Sequence, residues 1–136
     1  MAIKKKVKRV CIIDYDPIFI YGIKRIMSEI EFCDEIIVYA NGETALKELG
    51  SLVREGKKLP DVILLDLNMP VMDGWVFLDD FLKIPNHNQE HLTLYILSSS
   101  INHDDIEKAK KYPIVNKFIS KPVTLSDLKI ILKELT

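Results

Sequence analysis

Five side chains in this sequence could do chemistry together. Asp14 follows the apolar run Val10-Cys11-Ile12-Ile13, and Asp66 follows Val62-Ile63-Leu64-Leu65. Ser98 follows Leu92 to Leu97, and Lys121 follows Val115 to Ser120. Asp16 stands two residues beyond Asp14. Each alone has a plain structural reading: an Asp after a strand caps a helix, a Ser cluster makes a turn, and a Lys is solvated. Together they match the needs of phosphoryl transfer to a carboxylate. A carboxylate attacks phosphorus once the repulsion between anions is neutralised, and a hard cation such as Mg2+ does this with one or two carboxylates and water. A lysine and a hydroxyl then grip the remaining oxygens. The sequence has no Gly-rich phosphate cradle, so a protein or a small phosphoryl compound is a better donor than bound ATP.

The elements that must position these groups alternate. Val7 to Ile13, Ile36 to Val38, Val62 to Leu65, Leu92 to Leu97 and Val115 to Ile119 read as strands. The third is almost wholly apolar, as a strand covered on both faces should be. Helical spacing runs through Phe19, Ile23, Ile26, Met27 and Ile30, with Asp16 as cap and Pro17 in the first turn. A second helix follows Asn41 and carries Ala45, Leu46, Leu49, Leu52 and Val53. The third spans about 74–82 and the fourth, short and polar, about 104–111. The last opens on a Thr124/Asp127 capping box and buries Leu128, Ile131, Leu132 and Leu135. Strands alternating with helices imply right-handed parallel units and an α/β sheet covered on both faces. In such sheets ligands gather at the carboxyl ends of the strands, where all five side chains fall.

With those positions in place, a family resemblance is visible. The run Leu65-Asp66-Leu67-Asn68-Met69-Pro70-Val71-Met72-Asp73-Gly74 resembles the phosphorylation segment of bacterial two-component response regulator receiver domains. Ser98 and Phe118-Ile119-Ser120-Lys121-Pro122 resemble that family's later motifs. The similarity extends over essentially the whole chain. It implies a flavodoxin-like, doubly wound five-stranded parallel sheet of order 2-1-3-4-5 with five helices. It further implies Asp66 as phosphoacceptor, and Mg2+ held by Asp14, Asp66 and the Asn68 backbone carbonyl. Lys121 and Ser98 would bind the phosphoryl group, Phe118 would be the aromatic that follows the switch, and the bond before Pro122 would be cis. The implied partners are a histidine kinase or histidine phosphotransfer protein, and a downstream target at the face of the fourth helix, fifth strand and fifth helix.

One position departs from the family pattern. Two adjacent acids are expected after the first strand, and Tyr15 holds the second place. A neutral phenol is a poor Mg2+ ligand, so weaker metal affinity and slower phosphorylation are expected. Asp16 could lean in to compensate, but its competing role is to cap the helix. A receiver that has lost phosphorylation and acts only as a binding module is the corresponding alternative.

A rival reading is enzymatic. Asp14-Tyr15-Asp16 also resembles the first motif of haloacid-dehalogenase-type phosphohydrolases, with Asp14 as nucleophile. Against it, the chain leaves no room for a cap, and the run from Asp66 to Gly74 would go unexplained. A flavin or nucleotide domain of the same fold would need a phosphate-binding loop where Asp14-Tyr15-Asp16-Pro17 would repel phosphate.

Composition excludes several other classes. The 136 residues fit one receiver domain spanning 1–136 with no output domain expected, and the net charge of −1 argues against nucleic-acid or anionic-membrane coating. Lys4-Lys5-Lys6, Lys57-Lys58 and Lys110-Lys111 read as scattered surface charge. The first apolar run is too short for a signal peptide and no segment could span a bilayer, so a cytoplasmic location is expected. Cys11 reads as a core residue and Cys33 has no metal-type spacing. His87, His91 and His103 lack matched spacings and read as loop and surface residues, and 85–90 as a polar loop. Trp75 is open to two readings, burial beside the core or a partner contact.

Overall fold

A computed structural model describes residues 7–87, 89 and 91–135. Lys4-Lys5-Lys6 and two residues of the 85–90 loop, Asn88 and Glu90, lie outside the described residues. Strands and helices alternate throughout: β1 (Val7–Ile13), α1 (Pro17–Glu29), β2 (Cys33–Tyr39), α2 (Gly42–Arg54), β3 (Val62–Asp66), α3 (Gly74–Phe81), β4 (Thr93–Ser98), α4 (His103–Ala109), β5 (Val115–Ser120) and α5 (Leu125–Glu134). The sheet is parallel, in the order β2-β1-β3-β4-β5.

Period-two alternation divides the core between the two faces. Ile12, Leu64 and Leu97 pack with Ile23 and Met27 of α1 and Leu128 and Ile131 of α5. Their neighbours Ile13, Leu65 and Ile96 pack with Ala45 and Leu49 of α2 and Phe77, Leu78 and Phe81 of α3. All five residues of β3 are buried, which is why its sequence carries no polar alternation. Cys11 belongs to the α2/α3 face and Cys33 packs on the α1/α5 face.

Local chemistry sets the helix starts. Asp16, Asn41, Asp73, Asn102 and Thr124 each accept a backbone N–H of the first turn that follows. Thr124 and Asp127 close the reciprocal capping box. The differences from the sequence reading lie at element ends. β2 extends well beyond 36–38, because Cys33 to Glu35 pair with β1 though Asp34 and Glu35 are exposed. α4 starts earlier than 104, because Asn102 caps it, so His103 is its first residue. Its exposed surface agrees with the reading of His103, while His87 and His91 are partly buried and bond the carbonyls of Ile84 and Leu59.

The order of strands fixes where a site can form. From β1 the chain turns to β2 on one side, and from β3 it turns to β4 on the other. The loops after β1 and β3 therefore diverge and leave a crevice above the carboxyl ends of the two central strands.

Candidate functional site

Asp14 and Asp66 stand at that crevice. Asp14 is fully buried, and Asp66 is only 5% exposed. Two ionised carboxylates out of water need a cation, and Lys121 supplies it. Its Nζ lies 2.7 Å from Asp14 Oδ2 and 3.6 Å from Asp66 Oδ2. The first is direct contact; the second is an ion pair without a direct hydrogen bond. The lysine reaches the crevice because its own backbone N–H donates to the Ser98 carbonyl at 2.9 Å, which ties the end of β5 to the end of β4. The Lys121-Pro122 bond is cis, as the resemblance implied.

The Asp66 loop is held from three sides. The Asn68 N–H donates to Asp66 Oδ1 at 3.2 Å, and the Leu67 N–H donates to the Leu97 carbonyl at 3.3 Å. The Gly74 N–H donates to the Leu67 carbonyl at 2.9 Å. A Cβ on Gly74 would come within 2.9 Å of the Asp66 carbonyl oxygen and of Leu67 Cα. Only glycine lets α3 begin so close to the end of β3. Val71 takes φ 71° at the tip, where the Met72 N–H donates to the Pro70 carbonyl at 2.8 Å. That bond closes a γ-turn, which is strained for a β-branched residue.

Burial and the neighbouring Asp14 raise the Asp66 pKa above the ordinary carboxylate value, against the opposing pull of Lys121 and the Asn68 N–H. Desolvation is the largest cause.

The donor set suits a hard cation. Asp14 Oδ1 accepts the Asp16 N–H at 2.8 Å, while Oδ2 is buried and, beside the lysine, takes no aligned hydrogen bond. An oxygen left so, next to a second carboxylate, fits Mg2+, which binds through one or two carboxylates and keeps several waters. The set is thin. Among the described residues no group of three His, Cys, Asp or Glu side chains could hold a metal. Tyr15 is 60% exposed and brings no carboxylate. Asp16 is exposed, and its Oδ1 caps α1 through the Ile18 N–H at 2.9 Å, so the structure has it as a helix cap.

Ser98 is buried and its Oγ accepts the Ser100 N–H at 3.1 Å. Phe118 lies opposite Ile96 in the β4/β5 register and is half-buried against the α2/α3 face. Trp75 is half-buried beside that core, its ring 5.4 Å from Tyr112 with the Lys108 ammonium 5.0 Å away, which favours the first of its two readings.

One neighbour of the site was not legible as such. Phe19 counts in the sequence as a core residue of the first helix, yet its ring lies 4.4 Å from Lys121 Nζ. The available signal was its place in the first turn after Asp16 and Pro17, at the strand-end edge of the sheet.

Comparison with known proteins decides the family. Residues 10–133 match the response regulator receiver domain family. The chain belongs to that family. A crystal structure of a two-component response regulator from Cytophaga hutchinsonii superposes on this receiver domain with a TM-score of 0.86 at 28% identity, over 97% of this chain and 98% of the other. A probable methanogenesis regulatory protein, FilR2, from Methanothrix harundinacea is 28% identical over 83% of this receiver and 71% of its own length. A third likeness is to the receiver domain of the sensor histidine kinase PA1611 from Pseudomonas aeruginosa, crystallised with a magnesium ion in its active-site cleft. At 18% identity and a TM-score of 0.74, over 95% of this receiver and 97% of the other, it speaks for the fold alone. The five-stranded order 2-1-3-4-5 is that of the flavodoxin-like receiver fold. A haloacid-dehalogenase-type role for Asp14 gains no support from this membership or from its bonds to Asp16 and Lys121.

Proposed function

We propose that this receiver accepts a phosphoryl group on Asp66 from a phosphohistidine of a histidine kinase or phosphotransfer protein, and passes the signal on by a change of conformation. The observation that carries this reading is Lys121, placed within 3.6 Å of Asp66 while also gripping Asp14 at 2.7 Å. An Asp66 oxygen forms the new bond to phosphorus as the bond from phosphorus to the donor imidazole nitrogen breaks. The imidazole leaves with that electron pair. The Lys121 ammonium offsets the charge on the phosphoryl oxygens, and the Asn68 N–H steadies Asp66. Asp14, Asp66 and the Asn68 carbonyl are the groups that would hold Mg2+, which supplies charge neutralisation between the carboxylate and the phosphoryl group.

The product carries nearly two negative charges and three acceptor oxygens where a carboxylate stood. The Ser98 hydroxyl accepts from Ser100 and keeps its own proton to donate to one of them, and it moves inward to do so. Phe118 then turns with the β4–α4 loop, and the surface of α4, β5 and α5 changes shape. Two features support that surface as the output. α4 buries none of its residues, and Ile106 and Ile130 are 43% and 47% exposed on α4 and α5. Among the described residues no helix is long and apolar enough to cross a membrane, and we place the protein in the cytoplasm with its kinase.

The test is intact-mass spectrometry after incubation with Mg2+ and acetyl phosphate, with Asp66→Asn as control. A gain of one phosphoryl group in the wild type alone is expected. Label retained in the Asn variant, or lost with Asp14→Asn and placed on residue 14, would overturn the assignment.

A further inference from the structure

The proposed transfer to Asp66 depends on where the Lys121 ammonium sits. A lysine side chain is long and freely rotating, so an ion pair alone fixes it loosely. Here Nζ is closer to Asp14 than to Asp66, 2.7 Å against 3.6 Å. The same ammonium also lies over the ring of Phe19, 4.4 Å from its centroid, well inside the range at which a ring quadrupole attracts a cation. The lysine side chain is only 15% exposed, so little water screens that attraction. Phe19 itself rides on a fixed element: Asp16 and Pro17 set the start of α1, and Phe19 packs against the α1/α5 core.

The geometry points to Phe19 as a positioning residue for Lys121. This inference rests on Asp66 being the phosphoacceptor. The ring attracts the ammonium through its face and competes with neither the carboxylates nor an incoming phosphoryl group for N–H bonds. A third carboxylate in its place would hold the lysine too, but would repel the phosphoryl group. Phe19 thus helps keep the cation in the crevice when its partners change from two carboxylates to a phosphoryl group. Phe19 and Lys121 also both line a groove of about 500 Å³, with Ser99 and Pro122.

Phe19 could instead be core packing only, and aliphatic replacements separate the two roles. Phosphorylation rates with excess acetyl phosphate and Mg2+ are compared for wild type, Phe19→Leu, Phe19→Met, Phe19→Tyr, Lys121→Met and the double variant Phe19→Leu/Lys121→Met. We expect Leu and Met to slow labelling of Asp66 about five-fold, within the range of a desolvated cation–π contact, and Tyr to recover wild-type behaviour within about two-fold. In the Lys121→Met background the Leu change should add nothing. The ε-methylene protons of Lys121 should show an upfield ring-current shift in wild type and Phe19→Tyr that vanishes in Phe19→Leu. Equal rates for wild type and both aliphatic variants, or the same proportional loss without Lys121, would overturn the positioning role alone. A wild type that takes no label at residue 66 would overturn the phosphoacceptor reading and this inference with it.

Discussion

At the scale of single residues, charge and solvation govern the site. Asp66 is harder to ionise here than in water, chiefly because it is desolvated and secondly because Asp14 is near. A carboxyl whose pKa is raised by folding favours the folded state when protonated and burdens it once ionised, so the cost is present above the raised pKa and fades as pH falls through it. Asp66→Asn should therefore stabilise the protein at neutral pH, on the order of 1 kcal/mol or a few degrees in melting temperature. That gain should shrink at acid pH, as thermal melts across a pH series would register. Tyr15 is the second lever. Restoring a carboxylate with Tyr15→Asp should tighten Mg2+ binding about ten-fold, as calorimetric titration of both proteins would reveal; equal affinities would remove the idea that Tyr15 weakens the site.

Secondary-structure elements act through how closely they approach. α3 starts against the Asp66 loop only because Gly74 has no side chain, and a Cβ there would strike backbone atoms at 2.9 Å. Backbone cannot swing aside as a side chain can. Gly74→Ala should cost about 2–3 kcal/mol by overpacking, despite alanine's better helix propensity, and should also slow labelling by displacing the acceptor loop. Urea denaturation gives the first quantity and mass spectrometry the second. α4 is the contrasting element. It is short and has no buried residue, and it is steadied by Trp75 of α3 lying against Tyr112 and Lys108, and by Tyr112 bonding Asp79 at 2.8 Å. With no buried residue to anchor it, α4 belongs at the low end of local stability.

For the molecule as a whole, two cores share one sheet. Phe77 is fully buried and stacks on Phe81 at 5.6 Å between ring centroids, within the α2/α3 core. Phe77→Ala should cost about 3–5 kcal/mol, a large part of the total stability of a domain this size, and chemical denaturation would measure it. The Asp14–Lys121 pair, held from the ends of β1 and β5, should survive if the domain stays folded. The β4–β5 pairing joins the two ends of the proposed signal: Ser98 is opposite Ser120, and Ile96 is opposite Phe118. On the proposed function, a displacement at Asp66 would pass along this pairing to the α4, β5 and α5 face.

The amino-acid sequence by itself determined the kinds of elements, their alternation and the division of apolar residues between two faces, because those follow from periods of 2 and 3.6 and from local capping groups. It also marked Asp14, Asp66, Ser98 and Lys121 as strand-end residues, and Asp66 through Gly74 as a receiver motif. It left Asp16 open between cap and pocket and Trp75 open between core and partner, and it marked Phe19 only as a core residue of the first helix. Only the tertiary structure set Asp16 as the cap of α1 and Phe19 beside Lys121, and it made Lys121 the cation that sits nearer Asp14 than Asp66. The reason is range. Periodicity and capping are settled within a few neighbours along the chain, whereas the crevice joins residues about a hundred positions apart, whose distances depend on strand order and on the packing of whole helices.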